Sequence, residues 1–579
     1  MNILVEKNIM VPMRDGVKLA TDVYRPAEEG HFPVLLSRLP YNKDPLGRLA
    51  LAAIDALRAV QKGYVVLFQD CRGRFASEGE FHPVFDEASD GVDTVNWIVQ
   101  QPWASGQVGM VGSSYLGFTQ WLLAKEHPEA LRAIAPGVTT SNYYQTPFRH
   151  EGGVFELGCS LFWSLGIVPE ELQRRLRQGR ASMEHMGAFM QAMSDPSALL
   201  EHLPLVDQPL LREFAPFYFD WLNHPTYDDY WQSIAHSEFY EHMTVPALNI
   251  GGWYDLFLGG TLANYIGMKQ RGGSALARTH QRLVIGPWSH INRTGLFPER
   301  SYGLTASSDV VDIDGMQLRW YDHWLKGEEN GVEQDKPVKI FVMGLDQWRE
   351  EDDWPLPDTR FLPYYLHSAG HANSATGDGT LSTEEPADER EDVYLYDPRN
   401  PVPTVGGAIL LGLAPVEGPR DQRAVETRQD VLCYSTPVLE HPVEVTGPIA
   451  LVLYVSSSAR DTDFTGKLVD VYPDGRAEIL TDGILRARYR ESFTEPKLLE
   501  PEQIYELRLD LWATSNLFKA GHRIRLEVSS SNFPRFDRNS NTGGTIETET
   551  EKDFVQAVNR IYHDSAHSSH LILPIIERG

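Results

Sequence analysis

The sequence predicts an α/β fold in which a layered domain on a mostly parallel sheet is split by a helical insertion and followed by an all-β domain. Three observations point there. Short β-branched runs, apolar on both faces, alternate with helical stretches in the first third and again after residue 243. Helix formers displace those runs in between. Beyond residue 352, charged residues alternate strictly with Leu and Ile.

Each element follows from its local pattern. Val34-Leu35-Leu36, Val65-Val66-Leu67-Phe68, Val108-Gly109-Met110-Val111 and Ala133-Ile134-Ala135 read as central strands, with helices over 86–99 and 118–125. Residues 1–144 therefore form the first part of the layered domain. Residues 145–242 form a helical cap insertion: 170–176 and 188–193 are helical by composition and spacing, and 214–231 is dense in aromatics. Residues 243–351 resume the layered domain with Ala247-Leu248-Asn249-Ile250, a helix over 261–270 and Arg282-Leu283-Val284-Ile285. Residues 352–579 open on Asp352-Asp353-Trp354-Pro355 and a stretch rich in Gly, Pro, Ser and acid. In Glu506-Leu507-Arg508-Leu509-Asp510-Leu511 every second residue is Leu, and Arg523-Ile524-Arg525-Leu526-Glu527-Val528 repeats the pattern. These are half-buried antiparallel strands of a β-sandwich or jelly roll. The acidic run over 384–389 reads as a solvated loop.

Composition excludes several function classes. The chain has 579 residues, with 52 Lys and Arg against 80 Asp and Glu, a net charge of −28. A nucleic-acid backbone needs a basic face, so that partner is excluded, and an anionic membrane surface is disfavoured. An apolar fraction of 42% with 23% charged residues describes a globular chain long enough for several cores. The longest apolar runs fall well short of a membrane span. Cys71, Cys159 and Cys433 are too few and too scattered for a disulfide framework, and Met1-Asn2-Ile3-Leu4-Val5-Glu6-Lys7 has no signal-peptide pattern. The cytoplasm is the expected compartment.

The strongest chemical signal is Val108-Gly109-Met110-Val111-Gly112-Ser113-Ser114-Tyr115-Leu116-Gly117. A buried strand ends in a small-residue turn and a helix follows, the setting of a nucleophile elbow. Ser113 and Ser114 both stand in the turn. Ser114 is preferred because Gly112 then lies two residues before it. Gly117 falls one place later than in the generic hydrolase pattern. A serine needs a base and an orienting acid, and in an α/β-hydrolase the chain order is serine, acid, histidine. Asp255 lies just past one strand and His290 just past the next, both on the sheet edge where an α/β active site belongs.

Gly112-Ser113-Ser114-Tyr115-Leu116-Gly117, Gly252-Trp253-Tyr254-Asp255 and Gly286-Pro287-Trp288-Ser289-His290 resemble the motifs of the bacterial cocaine esterase group. That group stands with the X-prolyl dipeptidyl-peptidases and α-amino-acid ester hydrolases, and its elbow carries the same shifted glycine. Asp70-Cys71-Arg72-Gly73 with Ser77-Glu78-Gly79, Leu451-Val452-Leu453-Tyr454-Val455 and Ser529-Ser530-Ser531-Asn532-Phe533-Pro534-Arg535 extend the resemblance over nearly the whole chain. It implies an α/β-hydrolase domain with a helical cap and a C-terminal jelly roll. Ser114 would be the nucleophile, His290 the general base and Asp255 its orienter. Tyr41 and the backbone N–H of Tyr115 would form the oxyanion hole, and Phe148, Trp163 and Phe257 would line the acyl pocket. Asp70 and Arg72 would be scaffold, read as an Asp–Arg salt bridge.

A serine carboxylesterase acting on esters of bulky or aromatic acids is the expected function. An amidase, an X-prolyl dipeptidyl-peptidase or an acyltransferase with the same triad is the alternative, and a carbohydrate-binding protein on this fold is another. The residues after Asp255 are Leu256, Phe257, Leu258 and Gly259, where relatives acting on α-amino acyl groups carry acids. His563, His567 and His570 have ligand-like spacing but sit among Ser, Asp and Ala, so they read as surface histidines. No metal or organic cofactor is expected. The expected partner is a small-molecule ester or amide, and a homodimer is allowed.

Overall fold

In the computed structural model, residues 2–44, 54–149, 152–410 and 417–578 are described. Ten strands form one sheet: β1 (Ile3–Pro12), β2 (Lys18–Pro26), β3 (Phe32–Leu39), β4 (Val65–Asp70), β5 (Ala104–Ser113), β6 (Leu131–Gly137), β7 (Ala247–Tyr254), β8 (Gln281–Ser289), β9 (Val338–Val342) and β10 (Gln347–Glu351). Their spatial order is β1-β2-β4-β3-β5-β6-β7-β8-β9-β10. Neighbours from β4 to β9 run parallel, while β1 with β2, β2 with β4 and β10 with β9 are antiparallel. The apolar runs read as central strands are buried throughout, because helices cover both faces. No sequence pattern announces β1, whose residues are mostly exposed and carry little apolar periodicity. It is the edge strand, and its charged Glu6 and Lys7 suit an edge that must not recruit another chain.

Between β6 and β7 the chain leaves the sheet and builds helices Leu157–Arg177, Met183–Ala192, Pro196–Glu201, Pro209–Phe214, Phe217–Asn223 and Asp229–Ile234. A second, eleven-stranded sheet follows: β11 (Arg360–His367), β12 (Thr380–Ser382), β13 (Asp392–Tyr396), β14 (Leu432–Ser435), β15 (Val443–Ser457), β16 (Asp463–Val471), β17 (Ala477–Arg486), β18 (Tyr505–Phe518), β19 (Arg523–Ser529), β20 (Ala557–Tyr562) and β21 (His570–Ile576). In β18, Leu507, Leu509 and Leu511 point inward while Glu506, Arg508 and Asp510 face solvent, as the alternation predicts. The two sheets share one apolar core, in which Trp253, Tyr254, Ile285 and Phe341 meet Leu451, Leu480 and Leu511. Backbone bonds cross the junction: Met343 N–H to Ser515 O at 2.9 Å and Leu517 N–H to Met343 O at 2.8 Å. Among the described residues, no helix is long and apolar enough to cross a membrane.

The structure departs from three local expectations of the sequence. Asp70 and Arg72 do not pair with each other. The chain turns immediately after β4, so Asp70 stays with the sheet edge and binds Lys43, while Arg72 swings out to Asp90 at 2.6 Å and Asp15 at 2.7 Å. His563 is not a surface residue. It is fully buried, with Nε2 2.9 Å from Asp392 and Nδ1 3.3 Å from Glu389. The acidic run over 384–389 is exposed in part only, since its last member, Glu389, also receives His367 at 2.7 Å. No group of three or more His, Cys, Asp or Glu among the described residues is arranged to hold a metal ion.

Candidate active site

Four loops at the carboxyl edge of the parallel strands carry the residues singled out by the sequence. Ser114 follows β5 directly and opens the helix Tyr115–Lys125. Its backbone lies at φ 60°, ψ −125°, the strained conformation that lifts the side chain above the sheet. Gly112 makes this turn feasible. Its φ is +130°, and a Cβ there would meet the Leu116 side chain at 2.5 Å. Gly117 is explained in the same way, because a Cβ would lie 2.6 Å from Thr139 in the chain leaving β6. The shifted glycine therefore lets the elbow helix close on the neighbouring loop. Ser113, the other serine of the turn, points toward Gly137 of β6, with its Oγ 2.6 Å from where a Cβ would stand.

Asp255 follows β7 and His290 follows β8. His290 Nε2 lies 2.9 Å from Ser114 Oγ, and His290 Nδ1 lies 2.9 Å from Asp255 Oδ1. Ser114, Asp255 and His290 are 7%, 0% and 6% exposed. In a site this buried, charge that develops on the imidazole is felt strongly by the carboxylate beside it. Asp255 Oδ1 also accepts the Phe257 N–H at 3.3 Å, which fixes the carboxylate relative to its own loop. The arrangement can pass a proton from a hydroxyl to an imidazole whose other nitrogen is held by a carboxylate.

Tyr41 lies two residues beyond β3. Its loop is tied down from below: Asp70 accepts the Lys43 N–H at 2.7 Å and the Ala76 N–H at 3.3 Å, while Arg74 Nε donates to Pro40 O at 3.0 Å. Burial pushes the Asp70 carboxyl up to about 6 despite the nearby Lys43. Burial also raises the Tyr41 phenol well above its ordinary range, so it remains a neutral O–H donor. The Tyr41 oxygen accepts the indole N–H of Trp163 at 2.7 Å. Tyr115 is the first residue of its helix, where a backbone N–H has no intrahelical acceptor. Its phenol donates to Glu87 at 2.9 Å and accepts the Val84 N–H at 2.8 Å. Glu87 in turn pairs with Arg38 at 2.9 Å, both fully within the protein.

Phe148, Trp163 and Phe257 join one aromatic assembly. Phe257 lies 5.2 Å from the His290 ring and 5.6 Å from Phe118. Trp163 stacks on Tyr115 at 6.1 Å, and Phe148 stacks on Trp221 at 3.6 Å. Phe81, Phe118, Phe217 and Trp221 belong to the same assembly, and the sequence did not single them out. The aromatic density over 214–231 was the available signal for Phe217 and Trp221. Nothing local marked Phe81 or Phe118.

Residues 15–292 match the X-Pro dipeptidyl-peptidase (S15 family) profile, and residues 330–572 match the X-Pro dipeptidyl-peptidase C-terminal non-catalytic domain. A cocaine esterase of Rhodococcus sp. (strain MB1 Bresler) is 46% identical, the match covering 100% of this chain and 99% of that protein. The chain belongs to the S15 family. Among solved structures, an aminopeptidase from a marine sediment Thaumarchaeota archaeon superposes with a TM-score of 0.81 at 26% identity, covering 100% of this chain and 97% of the other. An α-amino acid ester hydrolase superposes with a TM-score of 0.80 at 26% identity, covering 99% and 97%. The S15 chain described here is a serine hydrolase with an α/β-hydrolase domain and a C-terminal all-β domain.

Proposed function

We propose that this serine ester hydrolase cleaves esters of bulky or aromatic carboxylic acids through an acyl-enzyme. The observation that carries the reading is the continuous chain from Ser114 Oγ through His290 to Asp255, with both links at 2.9 Å. Ser114 attacks the ester carbonyl while His290 Nε2 takes its proton. Asp255 holds the Nδ1–H tautomer and stabilises the imidazolium that forms. The carbonyl oxygen becomes an oxyanion, received by the Tyr41 hydroxyl and the Tyr115 backbone N–H. His290 returns the proton to the leaving alcohol. It then activates a water that attacks the acyl carbonyl and frees Ser114.

The aromatic assembly supports the acyl preference, because Phe257 packs against His290 and Trp163 packs against Tyr115. A flat apolar acyl group would bury its surface there. Leu256, Phe257 and Leu258 are buried beside Asp255 and offer no anion to a substrate ammonium, which disfavours α-amino acyl substrates. The name of the Rhodococcus relative agrees with an ester of an aromatic acid. The cytoplasm is the proposed compartment, since Cys71, Cys159 and Cys433 are buried free thiols, the state that a reducing environment maintains.

Replacement of Ser114 by Ala tests the assignment directly. Turnover of p-nitrophenyl benzoate and labelling by a fluorophosphonate probe are both expected to disappear. Retention of either at the wild-type level would end the reading.

A further inference from the structure

Trp163 touches both groups assigned to the carbonyl oxygen. Its indole N–H reaches the Tyr41 oxygen at 2.7 Å, and its ring lies face to face with Tyr115, at 6.1 Å between centroids and 9° between planes. We propose that Trp163 is a positioning residue for the oxyanion hole, aiming the Tyr41 proton and fixing the Tyr115 amide. The proposal rests on the reading of Tyr41 and the Tyr115 N–H as the oxyanion donors.

The chemistry of the two side chains carries the argument. An indole nitrogen only donates, whereas a phenol has one proton and an oxygen that accepts. Once the indole N–H occupies a lone pair of that oxygen, the Tyr41 proton cannot point toward Trp163. Among the described residues, no acceptor takes it. As far as the described residues go, the proton is therefore left to the substrate. A hydrogen bond received at the oxygen also polarises the O–H and strengthens it as a donor. Phe217 at 5.3 Å, Trp221 at 5.9 Å and Phe81 at 6.3 Å surround the indole and hold it in place.

Tyr115 is clamped in the same way. Glu87 and the Val84 N–H hold its phenol end, and Trp163 covers its ring. The residue can rotate little, so its backbone N–H keeps one direction. Trp163 belongs to the helix Leu157–Arg177 of the insertion, whereas Tyr41, Tyr115 and the triad belong to the sheet. The cap thus supplies part of the oxyanion machinery as well as a wall for the acyl group.

The test replaces the indole N–H alone. At position 163, β-(3-benzothienyl)alanine keeps the fused ring and its stacking but carries sulfur in place of N–H. Trp163→Phe is a second variant, and kcat and KM are read with p-nitrophenyl acetate and p-nitrophenyl benzoate. The analogue is expected to lower kcat on the order of tenfold for both esters, with KM within about twofold. The acetate is too small to need the aromatic wall, so a loss confined to the benzoate overturns the proposal. In a Tyr41→Phe background the analogue is expected to cost nothing further, because there is no proton left to aim. An undiminished loss in that background, or a wild-type kcat for the analogue, also overturns it. If Tyr41→Phe itself leaves kcat unchanged, the oxyanion reading fails and this proposal falls with it. If Tyr41→Phe is slow and the analogue is not, the role of Trp163 alone fails.

Discussion

Burial keeps the Tyr41 phenol neutral and able to donate its proton. Replacing Tyr41 by Phe leaves the ring and its packing but removes the O–H proposed to receive the oxyanion. The expected loss in kcat is about 10²–10³-fold, as for removal of one oxyanion donor elsewhere, with KM little changed. Steady-state kinetics on p-nitrophenyl benzoate measures it, and a change below about twofold would place Tyr41 outside the hole. Ser114, Asp255 and His290 were legible in the sequence because each stands in a recognisable local context, a tight turn or the residue after a buried strand. Tyr41 has no such mark. Its hydroxyl is defined by Trp163, 122 positions away, and only the family resemblance brought it forward. The Asp70–Arg72 pairing was misread for a related reason: proximity in the chain does not survive the turn that follows β4, and each side chain found a partner from another element.

The turn between β20 and β21 shows how an element can disguise a residue. His563 is surrounded in sequence by small polar residues and reads as exposed. Its partner Asp392, at the start of β13, lies 171 positions earlier and is delivered by strand pairing. Burial disfavours the charged ring, but the Asp392 hydrogen bond and the charges of Asp392 and Glu389 outweigh it and hold its pKa above the ordinary 6.5. The sign of the linkage follows. The unfolded chain releases this proton near 6.5, so the stabilisation is complete below that pH and is lost as the pH rises through the higher folded-state value. The difference in Tm between the wild type and His563→Gln should therefore be larger at about pH 6 than at about pH 9. A difference that is constant, or that widens toward alkaline pH, would rule out a charged His563. At the same scale, the alternation in β18 and the two-sided apolar runs of β3 to β6 were fully readable, because burial pattern and strand period coincide there.

Buried ion pairs fasten the whole molecule across its seams. Arg149, at the entrance to the insertion, meets Glu547 of the β domain at 2.9 Å. Arg535 of the β domain meets Glu156 at 3.3 Å and Asp482 at 2.6 Å. Backbone bonds reinforce the seam, Gly158 N–H to Arg535 O and Asp537 N–H to Phe155 O, each at 3.0 Å. Arg149→Met would strand the Glu547 carboxylate in the interior. The expected cost is about 3–5 kcal/mol of unfolding free energy, read from the denaturant midpoint. A loss below about 1 kcal/mol would mean that water reaches Glu547 after all. None of these partners is adjacent in sequence, so residue pattern alone could not pair them. Glu547 lies 398 positions after Arg149. A nascent chain thus emerges from the ribosome with serine, acid and base already synthesised while the wall around them still waits for its last fastening. In a chain cut before Glu547, Arg149 would stay among apolar neighbours without the carboxylate that answers its charge.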